Sequence, residues 1–264
     1  MASPRRHFIL TNGRSGSNYF VQVLNQHPHV VNFGEVLGPW TPSGRHLLPR
    51  FSEPGRFLDW MMKSRAAFYA GQGASAAGRL KREAKTHLRR RSAIASIGVK
   101  DFAINFQRMG AMDYFAERPD IALVTLERRN VVERFLSSRL LQTTGEVKRV
   151  EGASASGTSA VTLDPGTIRA DLDEIAEENA WIQQMADAHE GPKFALVYED
   201  FFGGSSEAQA ETLAELQRFL GVAPQTLAAE HRKLRQASLR DSIENFDAVA
   251  EALSGTPYEA EMRA

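Results

Sequence analysis

Apolar and polar positions alternate between two periods along the chain, and that alternation predicts the architecture. Four short runs rich in β-branched and other apolar residues, at 7–12, 94–102, 121–127 and 193–199, carry the continuous hydrophobicity of strands buried on both faces. Segments between them repeat their apolar residues at three and four, the helical period. Ile168, Leu172, Ile175, Ile182 and Met185 form one such stripe, and Val131, Val132, Phe135, Leu136 and Leu140 form another. Leu213, Leu216, Phe219 and Leu220 form a third, with Gly221 placed as a C-terminal stop. Strands alternating with helices predict an α/β fold: a three-layer sandwich around a central, mainly parallel sheet.

Two stretches interrupt the alternation. Residues 45–92 read as a helical insertion, whose run 79–91 is strongly basic and reads as a solvated helix face or as a docking face for an anionic acceptor. Residues 145–166 are rich in Gly, Ser and Thr without periodicity, the composition of a flexible loop or a lid. No internal repeat appears, and 264 residues suit one domain spanning 1–264.

The first strand runs into a loop of small residues with one arginine, Gly13-Arg14-Ser15-Gly16-Ser17-Asn18, and then into a helix through Val21 and Leu24. A strand–loop–helix unit of this kind aims several backbone N–H groups and the positive end of a helix dipole at one point. Phosphate and sulfate bind such points, and a guanidinium fork suits their oxygens. A plain capped turn, with Ser15 or Ser17 as the cap, is the simpler reading of the same residues. The loop is not a Walker A motif, because no Gly-Lys-Ser/Thr follows. A second strand-to-helix transition carries Arg129-Asn130, with Ser137 eight residues on, about 12 Å along a helix axis.

Composition narrows the chemistry. Zero net charge disfavours a nonspecific nucleic-acid binder. The absence of cysteine excludes disulfides, thiolate metal sites and cysteine nucleophiles. No apolar run approaches the ~20 residues of a membrane span, and the N-terminal apolar run is too short for a signal-peptide core, so the expected location is cytoplasmic.

The order of these motifs resembles sulfotransferases that use 3′-phosphoadenosine 5′-phosphosulfate, of the type acting on carbohydrates, glycolipids and tyrosyl proteins. Arg14-Ser15-Gly16-Ser17 resembles the loop that grips the 5′-phosphosulfate, and Arg129-Asn130 with Ser137 the group that grips the 3′-phosphate. His27-Pro28-His29-Val30 with Gly34-Glu35 resembles the stretch bearing the proposed catalytic glutamate, and Lys100-Asp101 a Lys-Asp after the second strand. Tyr198-Glu199-Asp200, Phe219-Leu220-Gly221-Val222 and Ile243-Glu244-Asn245-Phe246 are similar to the tail of bacterial members. Two features depart from the cytosolic small-molecule members, which carry lysine where this chain has Arg14 and end in an Arg-Lys-Gly segment; Lys233-Leu234-Arg235-Gln236 is a loose counterpart.

The resemblance implies a P-loop-NTPase-like fold and sulfuryl transfer to a carbohydrate or glycolipid hydroxyl, releasing adenosine 3′,5′-bisphosphate. It implies Glu35 as general base, with Arg14 and Lys100 neutralising charge on the leaving group. Gly13, Arg14, Ser15, Gly16, Ser17, Asn18, Arg129 and Ser137 would bind the donor. A salt bridge from Glu35 to Arg14 or Lys100 is its competing structural role, and His27 and His29 are rival bases, His27 also fitting a helix cap. No metal is required by this scheme, although Asp101 and Glu127 after strands would suit Mg²⁺ in an ATP-dependent kinase. That kinase, and a binding protein that has lost catalysis, are the alternatives. The basic run leaves peripheral membrane contact open.

Overall fold

In the computed structural model, residues 3–80, 88–144, 160–227 and 238–263 are described. The elements run β1 (Arg5–Thr11), α1 (Ser17–Leu24), β2 (Val30–Asn32), α2 (Pro42–His46), α3 (Pro54–Lys63), α4 (Arg65–Leu80), β3 (Ser96–Phe102), α5 (Ala103–Arg108), β4 (Ala122–Glu127), α6 (Val131–Thr144), α7 (Ile168–Asp187), β5 (Lys193–Val197), α8 (Tyr198–Gly203), α9 (Ser206–Phe219), α10 (Leu239–Ser242) and α11 (Phe246–Ala252).

The sheet has the order β2-β3-β1-β4-β5, and every pairing is parallel. Alternate side chains of β1 enter different cores, as the period of two requires. Phe8 and Leu10 pack among residues of α3, α4, α5 and α7, while Ile9 packs with those of α1, α8 and α9. Helices therefore cover both faces, which is the expected three-layer α/β sandwich around a parallel sheet. A third apolar cluster joins α6, the start of α7 and the C-terminal helices α10 and α11.

Each predicted strand is present with shifted ends. The fourth run stops at Val197, because Tyr198 and Glu199 already turn into α8. The added strand β2 is three residues long, too short for a periodic signal, and its register sets Asn32 beside Gly98. The basic insertion forms α3 and α4, parted at Ser64, whose backbone is extended and whose Oγ accepts from Ala67 N at 3.2 Å. Residues 81–87, within its basic run, lie outside the described residues, as do 145–159 of the Gly/Ser/Thr segment and Lys233-Leu234-Arg235-Gln236.

Two contacts fix the described ends of the insertion and of the Gly/Ser/Thr segment. Arg89, within the basic run, donates from its guanidinium to the carbonyls of Asn25, His27 (2.9 Å) and Val30, and stitches the end of α1 to β2. Residues 160–163 are likewise fixed. Val161 N donates to Ser242 O at 3.0 Å, Glu244 N donates to Val161 O at 3.0 Å, and Val161 and Leu163 are buried.

Candidate active site

Strand order assembles the motifs. Glu35 follows β2, Lys100 lies in β3, the Gly13–Asn18 loop follows β1, and α6 follows β4, so four adjacent strands deliver them in series along one edge. The carboxyl edge of a parallel sheet is where ligands bind in such folds.

The loop is built to expose its backbone. Arg14 (φ 66°) and Gly16 (φ 74°) both adopt left-handed conformations, and Arg14 is the sole non-glycine residue to do so among the described residues. That costs a side-chain-bearing residue on the order of 1 kcal/mol, and such strain concentrates at functional sites. Gly16 has a second reason to lack a side chain: a Cβ there would sit 2.6 Å from Cε2 of Phe202. Among the described residues, the backbone N–H groups of Gly13, Arg14, Ser15 and Gly16 donate to no protein group. Those of Ser17 and Asn18 open α1, where no intrahelical acceptor exists. Gly16 stands at the N-cap without any side-chain cap, so the simpler reading of a turn capped by Ser15 or Ser17 is not what forms. The buried Ser15 Oγ and Asn12 Oδ1 lack partners among the described residues.

Three guanidinium groups converge on this loop. Arg128 donates to Arg14 O at 3.3 Å, and Arg134 donates to Gly13 O at 2.9 Å. Both are buried and paired, Arg128 with Glu133 at 2.6 Å and Arg134 with Glu178. Arg14 differs. It donates from Nε to Ser137 Oγ at 3.0 Å, and among the described residues it has no carboxylate partner. Burial, then the nearby Arg128, lowers its pKa from the ordinary arginine value. The loop therefore presents an uncompensated cation beside unpaired N–H donors, the electrostatics of an anion site.

Glu35 sits in a separate, tightly built corner. Its Oε1 pairs with Lys100 Nζ, which is 1% exposed, and its Oε2 accepts from Trp40 Nε1 at 2.6 Å. The competing salt-bridge role is thus present: Glu35 is Lys100's partner. A carboxylate has about four lone-pair positions, so two remain for a further donor. Burial lowers the Lys100 pKa, against the opposing pull of Glu35 and Asp101. Asp101 is fully buried and accepts from the N–H groups of Val36 (2.8 Å), Leu37 (2.7 Å) and Phe102 (2.9 Å) and from Asn105 Nδ2 (2.6 Å). Burial raises its pKa while these donors lower it. Its lone pairs hold the turn that carries Glu35, so Asp101 acts as a positioning residue.

The remaining candidates are engaged by other partners. Arg129 is exposed and pairs with Asp200 at 3.5 Å, while Ser137 meets Arg14; among the described residues, Arg129 and Ser137 share no contact. His27 is buried; its Nδ1 accepts from His29 N at 3.1 Å and its Nε2 faces Ala223 O at 3.0 Å, so both ring nitrogens are committed and the ring pins the turn before β2 instead of capping α1. His29 Nδ1 faces Ala93 O at 2.7 Å. Glu127 accepts from Gln183, and no cluster of metal-ligating side chains occurs among the described residues.

Sequence reasoning missed several contributors. Glu199 accepts from the N–H groups of Arg129 and Asn130, both at 3.0 Å, and so caps α6 from outside. Asn179 donates to Arg128 O and accepts from Asn12, tying α7 to the loop. Arg128 lies over the Tyr198 ring at 4.4 Å, beside a cavity of about 230 Å³ lined also by Asn130, Glu133, Glu199, Phe202 and Gly203. The nearby Glu133 is the one sequence signal that could have flagged Arg128 as paired, whereas Glu178, the partner of Arg134, lies 44 residues away.

The chain matches no known family profile and no curated protein by sequence. Among solved structures it is similar to a sulfotransferase from Alicyclobacillus acidocaldarius, at 17% identity over 100% of this chain and 97% of that chain, with a TM-score of 0.46. No helix among the described residues is long and apolar enough to cross a membrane.

Proposed function

We propose that the chain is a sulfotransferase that moves a sulfuryl group from 3′-phosphoadenosine 5′-phosphosulfate to a hydroxyl of a carbohydrate or glycolipid. One observation carries this reading: an arginine that, among the described residues, has no counter-ion, held in a loop whose backbone N–H groups find no acceptor among them. Such a loop fits a doubly charged phosphate ester, and the missing Walker lysine argues against ATP. The paired Glu35 and Lys100 at the same sheet edge give the second half of a group-transfer site.

The residues suit the donor. Gly13 to Asn18 would hold the 5′-phosphate through backbone N–H groups, with Arg14 on the bridging oxygen. Ser137, already bonded to Arg14, and Arg129 would take the 3′-phosphate. Arg129 would first leave Asp200, an exposed pair worth less than about 1 kcal/mol. In transfer, the acceptor oxygen bonds to sulfur as the bond between sulfur and the 5′-phosphate oxygen breaks. Glu35 takes the hydroxyl proton, and Arg14 and Lys100 offset the negative charge gathering on the departing oxygen. Catalysis is then mostly positioning and electrostatics, as in phosphoryl transfer.

Isothermal titration tests the reading. Adenosine 3′,5′-bisphosphate should bind the wild type, and Arg14→Ala should weaken it by about 10²-fold, the scale of a lost charge-assisted contact. Glu35→Gln should leave that affinity intact and abolish sulfate transfer from labelled donor. MgATP binding more tightly than the bisphosphate would shift the assignment to a kinase. Transfer undiminished in Glu35→Gln would remove Glu35 as the base.

A further inference from the structure

Beside Glu35 stands one large apolar side chain that the fold has left uncovered. Trp40 is 50% exposed, and its indole is fixed from two directions. Its N–H donates to Glu35 Oε2 at 2.6 Å. Its ring lies on the backbone of Gly38, where a Cβ would fall 2.4 Å from Cε2 and Cζ2, so any side chain there would displace the indole. Phe102 borders it at 6.1 Å between centroids.

The turn under the ring is itself rigid. Gly38 O accepts from both Thr41 N (2.9 Å) and Thr41 Oγ1 (2.8 Å), and Gly44 N donates to Thr41 Oγ1 at 2.9 Å. Asp101 grips Val36 and Leu37 just before it. An indole immobilised in advance loses little conformational entropy when a ligand covers it.

We propose that the open face of Trp40 is the acceptor platform of the site, and that it takes the C–H face of a sugar ring so that one ring hydroxyl reaches Glu35. This rests on the sulfotransferase reading and deepens it by naming the group that selects the acceptor. Ring C–H bonds polarised by neighbouring oxygens are drawn to the negative face of an aromatic π-system. A one-sided, solvent-open platform suits a ring whose edge and second face are hydroxylated. A phenol, apolar on both faces, is better served by an enclosed slot that covers both. An alkyl hydroxyl also holds its proton more tightly than a phenol, which gives a carboxylate anchored by Lys100 and Trp40 a purpose.

The test uses full-length protein saturated with adenosine 3′,5′-bisphosphate and four neutral probes: cellotetraose, maltotetraose, chitotetraose and trehalose. Saturation-transfer NMR and titration should show at least one of them bound through ring C–H protons. Trp40→Ala should weaken that binding about 10–50-fold, the range for truncating an aromatic anchor, with the nucleotide Kd unchanged. Trp40→Phe should hold the sugar within about threefold and lower kcat, since it keeps a ring but loses the N–H to Glu35. Sugar affinity unchanged in Trp40→Ala overturns the platform, as does failure of all four probes. Tighter binding of 2-naphthol than of every sugar overturns the acceptor class. Failure of the nucleotide itself to bind, read in its own titration, overturns the sulfotransferase reading instead.

Discussion

Acid should unfold this protein earlier than its carboxylates require, through His7. The ring is fully buried in β1. Asn32 Oδ1 accepts from Gly34 N at 2.8 Å, which orients the amide so that Asn32 Nδ2 donates to His7 Nε2 at 3.1 Å. Nε2 is therefore an acceptor, and Nδ1 carries the proton toward Ser96 Oγ at 2.8 Å. Protonation would set a donor against a donor in a dry site. Burial, with the charge of Arg5 adding to it, depresses the His7 pKa from 6.5 to about 3.

The sign follows from proton counts. Between those two values the unfolded chain binds a proton that the folded chain refuses, so stability is full above pH 6.5 and falls as pH falls toward 3. At pH 5 the loss is about 1.4 kcal/mol for each pH unit below 6.5, or about 2 kcal/mol, and it does not depend on how far below 5 the folded value lies. For a domain stable by about 5–15 kcal/mol that is a measurable fraction.

Urea unfolding at pH 7 and pH 5 measures it. The wild type should lose about 2 kcal/mol more than His7→Asn over the interval. The nitrogen resonances of the His7 ring give a second readout that needs no variant. Equal pH dependence in both proteins, or a His7 ring that titrates near 6.5, would refute the reasoning. Folded His7 stays neutral over this range, so the network that reaches Glu35 through Gly34 stays intact and activity should fall no earlier than global unfolding.

Two further perturbations test how the fold supports the site. Gly16→Ala meets both the left-handed backbone and the Phe202 ring, and should cost about 1–3 kcal/mol in thermal or urea unfolding while weakening the nucleotide at least tenfold. Arg89→Met leaves the carbonyls of Asn25, His27 and Val30 without their shared donor, and should cost about 3 kcal/mol with little change in acceptor binding; a stable variant with weakened acceptor binding would give that arginine a docking role instead.

The chain's pattern of periods determined the strands β1, β3, β4 and β5, the buried stripes of α6 and α7, and the three-layer arrangement, because continuous apolar runs and a 3.6-residue repeat are local properties of sequence. The resemblance likewise singled out Arg14, Glu35, Lys100 and Ser137 one motif at a time. Tertiary structure decided which of them meet. β2 has only three residues and no period to read, yet it is the strand that carries Glu35 to the edge next to Lys100. Ser137 pairs with Arg14, more than a hundred residues away, and not with Arg129 eight residues before it. Arg128, Arg134 and Arg14 are alike in sequence, and only burial and the reach of Glu133 and Glu178 decide that two are neutralised and one is left to attract an anion. Coulomb interactions act across space, so which cation stays uncompensated is fixed only when the sheet has closed around it.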